Sequence, residues 1–356
     1  MDAAALRAEF PVLRRLAYLN AGTDGPVPAA AVRAVHGAVQ AQVDEGRHTP
    51  HFEARQGLQD ELRRAYAQEL GCGPEDLALT TSTSEGLGRV LAGLELGPGD
   101  EIVTSDAEHP GLVGPLIAAR DRGVAIRAVP FRELADAVTA STTLVACSHV
   151  SWVTGEVAPA ALSETGVPVV LDGAQAAGAV PVDVRALGCA AYAASGQKWL
   201  CGADGTGMLY LEPGFRERVR TLAPSYTSFE DTGRGLDSPL RADARRLDTP
   251  ALAREAAAFS LASIRLLQAS TMDAVHERAA GLAGRLVDAL GERGRAVAPR
   301  GRTTLVAWED PDPPAARDRL AAAGVIVRDL PGRPLLRASV GAWNDASDLE
   351  RLLAAL

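Results

Sequence analysis

Cysteine is scarce in this sequence. The four cysteines in 356 residues are Cys72, Cys147, Cys189 and Cys201, and none has the spacing that holds a metal. Cys147 and Cys189 fall in apolar runs and read as small buried hydrophobes. We expect no disulfides and a reducing, cytoplasmic location. An excess of basic charge is also missing. Lys+Arg total 36 and Asp+Glu total 45, so 36 − 45 gives a net charge of −9. Its basic residues are mostly arginine and are spread along the chain, so nucleic acid and anionic membranes are poor partners. No apolar run is long and charge-free enough to span a bilayer. Residues 1–10 carry early acids and no apolar core, so no signal peptide is expected.

What remains is ordinary for a globular protein, with 47% hydrophobic and 23% charged residues. The middle of the chain alternates short apolar strands with amphipathic segments. Strands are predicted at 77–80, 101–105, 124–129, 143–148, 168–171, 190–194 and 207–211, with helices at 84–94 and 110–122 between them. This alternation predicts an α/β fold, with helices on both faces of the sheet. Helices are predicted before it at 28–45 and 52–70. After it come an irregular stretch at 216–248 and a long helical stretch at 251–290, broken near 270–271. Strands at 303–308, 325–328 and 335–339 and helices at 313–323 and 345–356 then make a smaller α+β unit. There is no internal repeat.

Lys198 carries the most information. It lies in Ser195-Gly196-Gln197-Lys198-Trp199, directly after an apolar strand. Asp172 ends an earlier apolar strand, in Leu171-Asp172-Gly173-Ala174-Gln175. A lone lysine is normally a solvated surface charge. A lysine and an aspartate at two strand ends form the layout of a pyridoxal phosphate (PLP) site. There the lysine binds the aldehyde as a Schiff base and the acid pairs with the pyridine nitrogen.

Other residues allow two readings each. Thr81-Ser82-Thr83-Ser84-Glu85-Gly86 opens a helix, as an anion cup or as a plain N-cap in which Ser84 suits the cap. Taken alone, the cap is the commoner outcome. Gln175 either meets the ring's phenolic oxygen or faces solvent. His109 either stacks on a flat cofactor and moves protons as a catalytic group, or bonds locally in its loop. Residues 148–156, with Trp152, either border the ring or form a turn. Arg337 either grips a substrate carboxylate or makes a surface ion pair. Gly202-Ala203-Asp204-Gly205-Thr206-Gly207 has the wrong spacing for a dinucleotide and precedes a strand, so a nicotinamide site is rejected.

The order of these elements resembles the class V aminotransferase family of fold-type-I PLP enzymes, which includes cysteine desulfurases, cystine C–S lyases and isopenicillin N epimerases. The resemblance runs from Tyr18-Leu19-Asn20-Ala21-Gly22 to Leu336-Arg337-Ala338-Ser339 and Trp343-Asn344. It implies a mainly parallel seven-stranded sheet in a large domain at 17–248. A small domain would comprise 1–16 and 249–356. It implies Lys198 as the Schiff-base lysine, Asp172 on the pyridine nitrogen, Gln175 on the phenolate and His109 over the ring. Thr83, Ser84, Ser195 and Gln197 would hold the phosphate. Thr249 would serve the phosphate of a second subunit, making a homodimer. Arg337 would hold the α-carboxylate of an amino-acid substrate. Asn20, Trp152, Tyr226, Phe229 and Arg328 are candidate pocket residues.

Two features choose among branches. Trp152 and Glu108-His109-Pro110-Gly111 resemble the C–S lyase branch, where desulfurases have Asn at the Trp152 position. The loop Arg328-Asp329-Leu330-Pro331-Gly332-Arg333-Pro334 lacks the persulfide-forming cysteine of desulfurases, and Cys201 reads as packing. The expected activity is β-elimination from a cysteine-derived substrate, giving pyruvate and ammonia. An epimerase, an aminotransferase or another biosynthetic PLP enzyme is the alternative, and a cysteine desulfurase ranks below these. A non-catalytic PLP-binding regulator fits poorly, since lysine, aspartate and arginine are all intact.

Overall fold

The computed structural model describes all 356 residues. Seven strands form one sheet: β1 (Leu77–Thr80), β2 (Glu101–Ser105), β3 (Ala125–Val129), β4 (Thr142–Ser148), β5 (Val169–Asp172), β6 (Ala191–Ser195) and β7 (Gly207–Leu211). Their spatial order is β1-β7-β6-β5-β4-β2-β3. All pairs are parallel except those of β7, which runs antiparallel to β1 and β6. β1, β5, β6 and β7 are buried along their whole length. That is why they read as unbroken apolar runs and not as alternating ones.

Helices cover both faces of the sheet. The long helices are α1 (Ala29–Glu45), α2 (Thr49–Leu70), α3 (Thr83–Gly93), α4 (Pro110–Asp121), α5 (Arg254–Gln268) and α6 (Met272–Glu292); α3 and α4 cover one face, α2 and α5 the other, and α1 packs on the outside of α5. The two-residue period of β6 sends Tyr192 and Ala194 into one core and Ala191 and Ala193 into the other. Leu87, Val90 and Leu91 of α3 pack into the second core, and Leu261, Ile264 and Leu267 of α5 into the first. Full burial of a Leu, Ile or Val side chain contributes roughly 1.5–3 kcal/mol, so these two layers hold the sheet rigid. Thr271, at φ +59, makes the break between α5 and α6.

A second sheet is antiparallel, in the order β9 (Arg328–Asp329), β10 (Leu335–Ser339), β8 (Leu305–Glu309). With α7 (Pro313–Ala322) and α8 (Ala346–Ala355) it encloses a third core that includes Leu286, Trp308, Leu320 and Leu352. The strand predicted at 325–328 is divided. Val325–Ile326 pairs with Ala17–Tyr18, whereas Arg328 and Asp329 pair with β10. The chain changes partner at Val327, whose side chain enters the third core. The boundary expected at 249 falls inside the packing of the first core. Beyond it, α5 lies against α1 and α2, and Leu6, Phe10 and Leu13 of the N-terminal segment join the same core.

Register sets the site. Ser148 pairs with Asp172, and Asp172 with Ala193. Thr80 and Ser195 both pair with Gly207. The carboxyl ends of β1, β4, β5 and β6 therefore open at one edge, where ligands of open α/β sheets gather.

Candidate active site

Lys198 is the one lysine of the chain. It sits on a turn leaving β6 that is pinned by backbone bonds, from Gly196 N–H to Thr206 O and from Gly202 N–H to Gly196 O, both 2.8 Å. Cys201 closes the turn in the left-handed region at φ +52, its N–H donating to Lys198 O at 3.1 Å. Such a conformation costs on the order of 1 kcal/mol in a residue with a side chain, and it persists where surrounding contacts enforce it. One of those contacts is Gly25, whose N–H donates to Gln197 O at 2.7 Å. A Cβ on Gly25 would stand 2.2 Å from Lys198 O, so no other residue fits.

Burial pushes the Lys198 amine down to about 8, with Arg337 and Arg328 adding to the drop and Asp172 and Asp24 opposing it. Asp172 is buried, and its Oδ1 accepts the Ala174 N–H at 2.9 Å. Burial raises its pKa, against the Lys198 charge and the Ala174 N–H. A cation bonded to Asp172 would relieve that cost. Behind it, His149 N–H donates to Asp172 O at 2.9 Å, and its ring shares a 3.0 Å hydrogen bond with Tyr192. Burial holds His149 at about 4, so this pair is neutral.

The anion cup forms at the start of α3, with one correction. The N-cap is Ser82 and not Ser84: Ser82 is extended, and its Oγ accepts the Glu85 N–H at 3.1 Å. The cap falls two residues earlier because Glu85 reaches back to the Thr81 N–H and hydroxyl. Ser84 is thereby released from capping. Thr83 N–H donates to Ser195 Oγ at 3.0 Å, and the two hydroxyls lie 2.7 Å apart. Gln197 Oε1 is buried with no partner. The Thr83 and Ser195 hydroxyls thus meet at the N-terminus of α3, which Ser84 also joins, a natural place for an anion.

His109 caps α4, its Nδ1 accepting the Gly111 N–H at 3.1 Å. That bond places the ring proton on Nε2. Burial, then Lys198, Arg328 and Arg337, lower His109 to about 4, so it is a neutral, flat wall. The preceding Glu108 is buried and takes hydrogen bonds from Ser105 Oγ and from the N–H and Oγ of Ser148. It ties the end of β2 to the end of β4, a role the sequence signalled only as an acid beside a histidine. Trp152 meets the His109 ring edge-on, with centroids 5.2 Å apart at 86°.

Arg337 is fully buried, which removes the surface ion-pair reading. Its Nη1 donates to Trp152 O at 2.5 Å, while Nε and Nη2 have no partner. Burial, with Arg328 beside it, lowers Arg337 to about 9, which leaves it charged at neutral pH. A buried cation lacking a counter-ion is costly and marks an anion site. Gly22 borders it: a Cβ there would lie 2.8 Å from Gln175 Oε1 and from Ser339 Oγ, and 3.0 Å from Arg337 Nη2. Gln175 Nε2 donates to Gly22 O at 2.8 Å, and its Oε1 accepts the Trp199 indole at 3.2 Å. One amide hydrogen of Gln175 remains for a phenolic oxygen. Arg328 Nη1 donates to Thr23 Oγ1 at 3.2 Å, and Thr23 to Asn20 Oδ1 at 2.9 Å, so both candidates flank Arg337.

Tyr226 and Phe229 are not brought to this cleft. They line a separate outer pocket with Gln56, Asp60 and Arg63, and Tyr226 is 58% exposed and meets the Phe52 ring edge-on. Residues 212–250 hold only short helical turns, so sequence proximity to the sheet did not fix where they fold. Thr249 N–H donates to Leu79 O at 2.7 Å, and the adjacent Asp248 is clamped by Arg63. Cys201 is buried and burial pushes its thiol well up, so it is an inert packing group.

The donor set fits PLP: a hydroxyl cup for phosphate, a carboxylate for the ring nitrogen, a neutral imidazole wall and an amine. The unpartnered Arg337 nitrogens are the donors a substrate carboxylate would satisfy.

Comparison with known proteins agrees. A probable cysteine desulfurase of Methanothermobacter thermautotrophicus is 32% identical over 221 residues, 58% of this chain and 55% of that protein. A cysteine desulfurase of Serratia proteamaculans is 34% identical over 234 residues, 58% and 57% of the two chains. The match thus spans little more than half the length of these relatives. Among solved structures, the cystine C–S lyase C-DES bound to its product cysteine persulfide superposes with a TM-score of 0.92 at 26% identity, over 97% of this chain and 98% of that one. A C-DES mutant with glycine covalently linked to its PLP cofactor gives 0.93 at 26%, over 98% of both. The model of the aminotransferase class-V family matches residues 20–352, and the chain belongs to that family.

Proposed function

We propose that this protein is a PLP-dependent C–S lyase that removes a β-sulfur group from an L-amino acid. The observation that carries the reading is the pairing of the Lys198 amine with a buried, unpaired Arg337 at one cleft. PLP bound there would supply an aldehyde that captures the substrate's amine and a ring that withdraws electrons from Cα. Thr83, Ser84, Ser195 and Gln197 hold its phosphate. Asp172 keeps a proton on its ring nitrogen, and His109 walls one face against water.

The residues divide the work. Arg337 binds the α-carboxylate through Nε and Nη2, which fixes the direction of the Cα–H bond. Lys198, lowered to about 8, is partly neutral near physiological pH and accepts the Cα proton. The β-sulfur group leaves with the bonding pair and takes up a proton, as a thiol from a thioether, a persulfide from a disulfide or a sulfenic acid from a sulfoxide, and water hydrolyses the remaining three-carbon enamine to pyruvate and ammonia. A desulfurase instead needs a thiol nucleophile at the cleft. The 328–334 loop has none, and Cys201 is buried and protonated.

The reading includes a homodimer, with Thr249 serving the phosphate site of the second copy. Its backbone is anchored by Leu79 and Asp248, which suits a fixed donor. The four cysteines are free, as a reducing cytoplasm keeps them, and no helix is long and apolar enough to cross a membrane.

A substrate panel with product mass spectrometry tests the chemistry. L-cystine, S-substituted cysteines and their sulfoxides should yield pyruvate and ammonia matching substrate consumed, without added keto acid. Solvent deuterium at Cα with no elimination would favour an epimerase. Dependence on a keto acid would favour an aminotransferase.

A further inference from the structure

We propose that Trp152 is a positioning residue that couples capture of the substrate carboxylate to the orientation of the cofactor-facing His109. The inference rests on the PLP reading of this cleft.

Four contacts meet at Trp152. Its indole N–H donates to Ala107 O at 2.8 Å, two residues before His109. Its ring abuts the His109 ring edge-on, at 5.2 Å. Its backbone carbonyl accepts from Arg337 Nη1 at 2.5 Å. Its side chain packs with Val153 and Leu330, and with Ala107 and Leu335 beside them, so it touches both ends of the 330–335 loop. One residue therefore spans from the β2 end, which carries His109, to β10, which carries Arg337.

The surrounding turn is built to transmit and not to absorb. Ser151 N–H donates to Glu156 O at 2.8 Å, and Gly155 N–H to Ser151 O at 2.9 Å. Gly155 O accepts the Thr303 hydroxyl at 2.8 Å and the Gly301 N–H at 3.1 Å. Packed, hydrogen-bonded elements of this kind pass small displacements on, because close-packed interiors are stiff. The Arg337 guanidinium has one bond, to Trp152 O, and two idle nitrogens. A carboxylate arriving at Nε and Nη2 redirects the guanidinium, and the Trp152 carbonyl must follow. The indole then carries the movement to Ala107 and the His109 ring. The same bridge fixes His109 when the site is empty of substrate.

The test uses Trp152→Phe, which keeps an aromatic edge and loses the N–H, and Trp152→Ala, which loses both. In the cofactor-free protein, propionate is titrated while the His109 imidazole resonances are followed, assigned by their loss in His109→Gln, with sodium chloride as control. In wild type, propionate should shift these resonances. The shift should shrink in Trp152→Phe and vanish in Trp152→Ala, while propionate still binds. In the PLP-loaded protein the visible circular dichroism should change at full occupancy. Since a misplacement near 1 Å can cost up to 10²-fold, kcat should fall roughly 10- to 100-fold in Trp152→Ala and less in Trp152→Phe, with KM changed less than kcat. Propionate shifts and circular dichroism that match wild type in both variants would overturn the coupling. Should Trp152→Ala fail to fold, an unchanged Trp152→Phe in both readouts would overturn it alone. Wild type that shows the propionate shift yet takes up no PLP would instead sink the functional reading and leave the Trp152 bridge supported.

Discussion

Replacing Lys198 by methionine should stabilise the cofactor-free protein at neutral pH and abolish activity. The folded amine is lowered from 10.5 to about 8, burial outweighing the attraction of Asp172. At about 1.4 kcal/mol per pH unit, carrying the charged amine into the fold costs roughly 3 kcal/mol near pH 7. Methionine has a similar length and no charge to desolvate. Because the folded pKa is depressed, the unfolded chain binds the extra proton between pH 8 and 10.5, so wild-type stability rises through that window. The advantage of Lys198→Met should therefore be largest at and below pH 7 and be gone above 10.5. Urea unfolding of both cofactor-free proteins at pH 7 and pH 11 measures it. Equal stability at pH 7, or an advantage that persists at pH 11, would refute the burial argument.

Asp172→Asn should bind PLP and be nearly inactive, because the amide cannot hold the ring nitrogen protonated; a variant keeping most of its turnover would show the nitrogen partner is misassigned. Cys201→Ser should retain lyase turnover, and wild-type Cys201 should resist iodoacetamide in the folded protein, since its thiol is buried and its pKa raised. Formation of alanine and persulfide from cysteine, lost in Cys201→Ser, would contradict this. Thr249→Ala should lower PLP retention in a protein that sediments as a dimer; a monomer holding PLP fully would remove Thr249 from the site.

The strands and the residues at their ends were legible because both follow from short-range pattern. β1, β2, β7 and β10 lie where the apolar runs placed them, and Lys198 and Asp172 face one cleft as strand-end residues of neighbouring strands. Contacts made across the chain were not legible. Arg337 reads in sequence as any arginine; only its burial, with two idle nitrogens, sets it apart. Ser82 and Ser84 are equivalent cap candidates until Glu85 chooses by reaching Thr81. Tyr226 lies in a stretch without strand or helix periodicity, where nothing local fixes its position. One signal was available and strong: a chain with a single lysine offers a single amine side chain for Schiff-base chemistry.

That single lysine makes the central claim directly measurable. The purified protein, given PLP and reduced with borohydride, should gain the mass of one reduced cofactor per chain. Peptide mapping should place all of it on Lys198, and Lys198→Ala should gain none. A wild type that stays colourless with added PLP and takes up no mass on reduction would contradict the account.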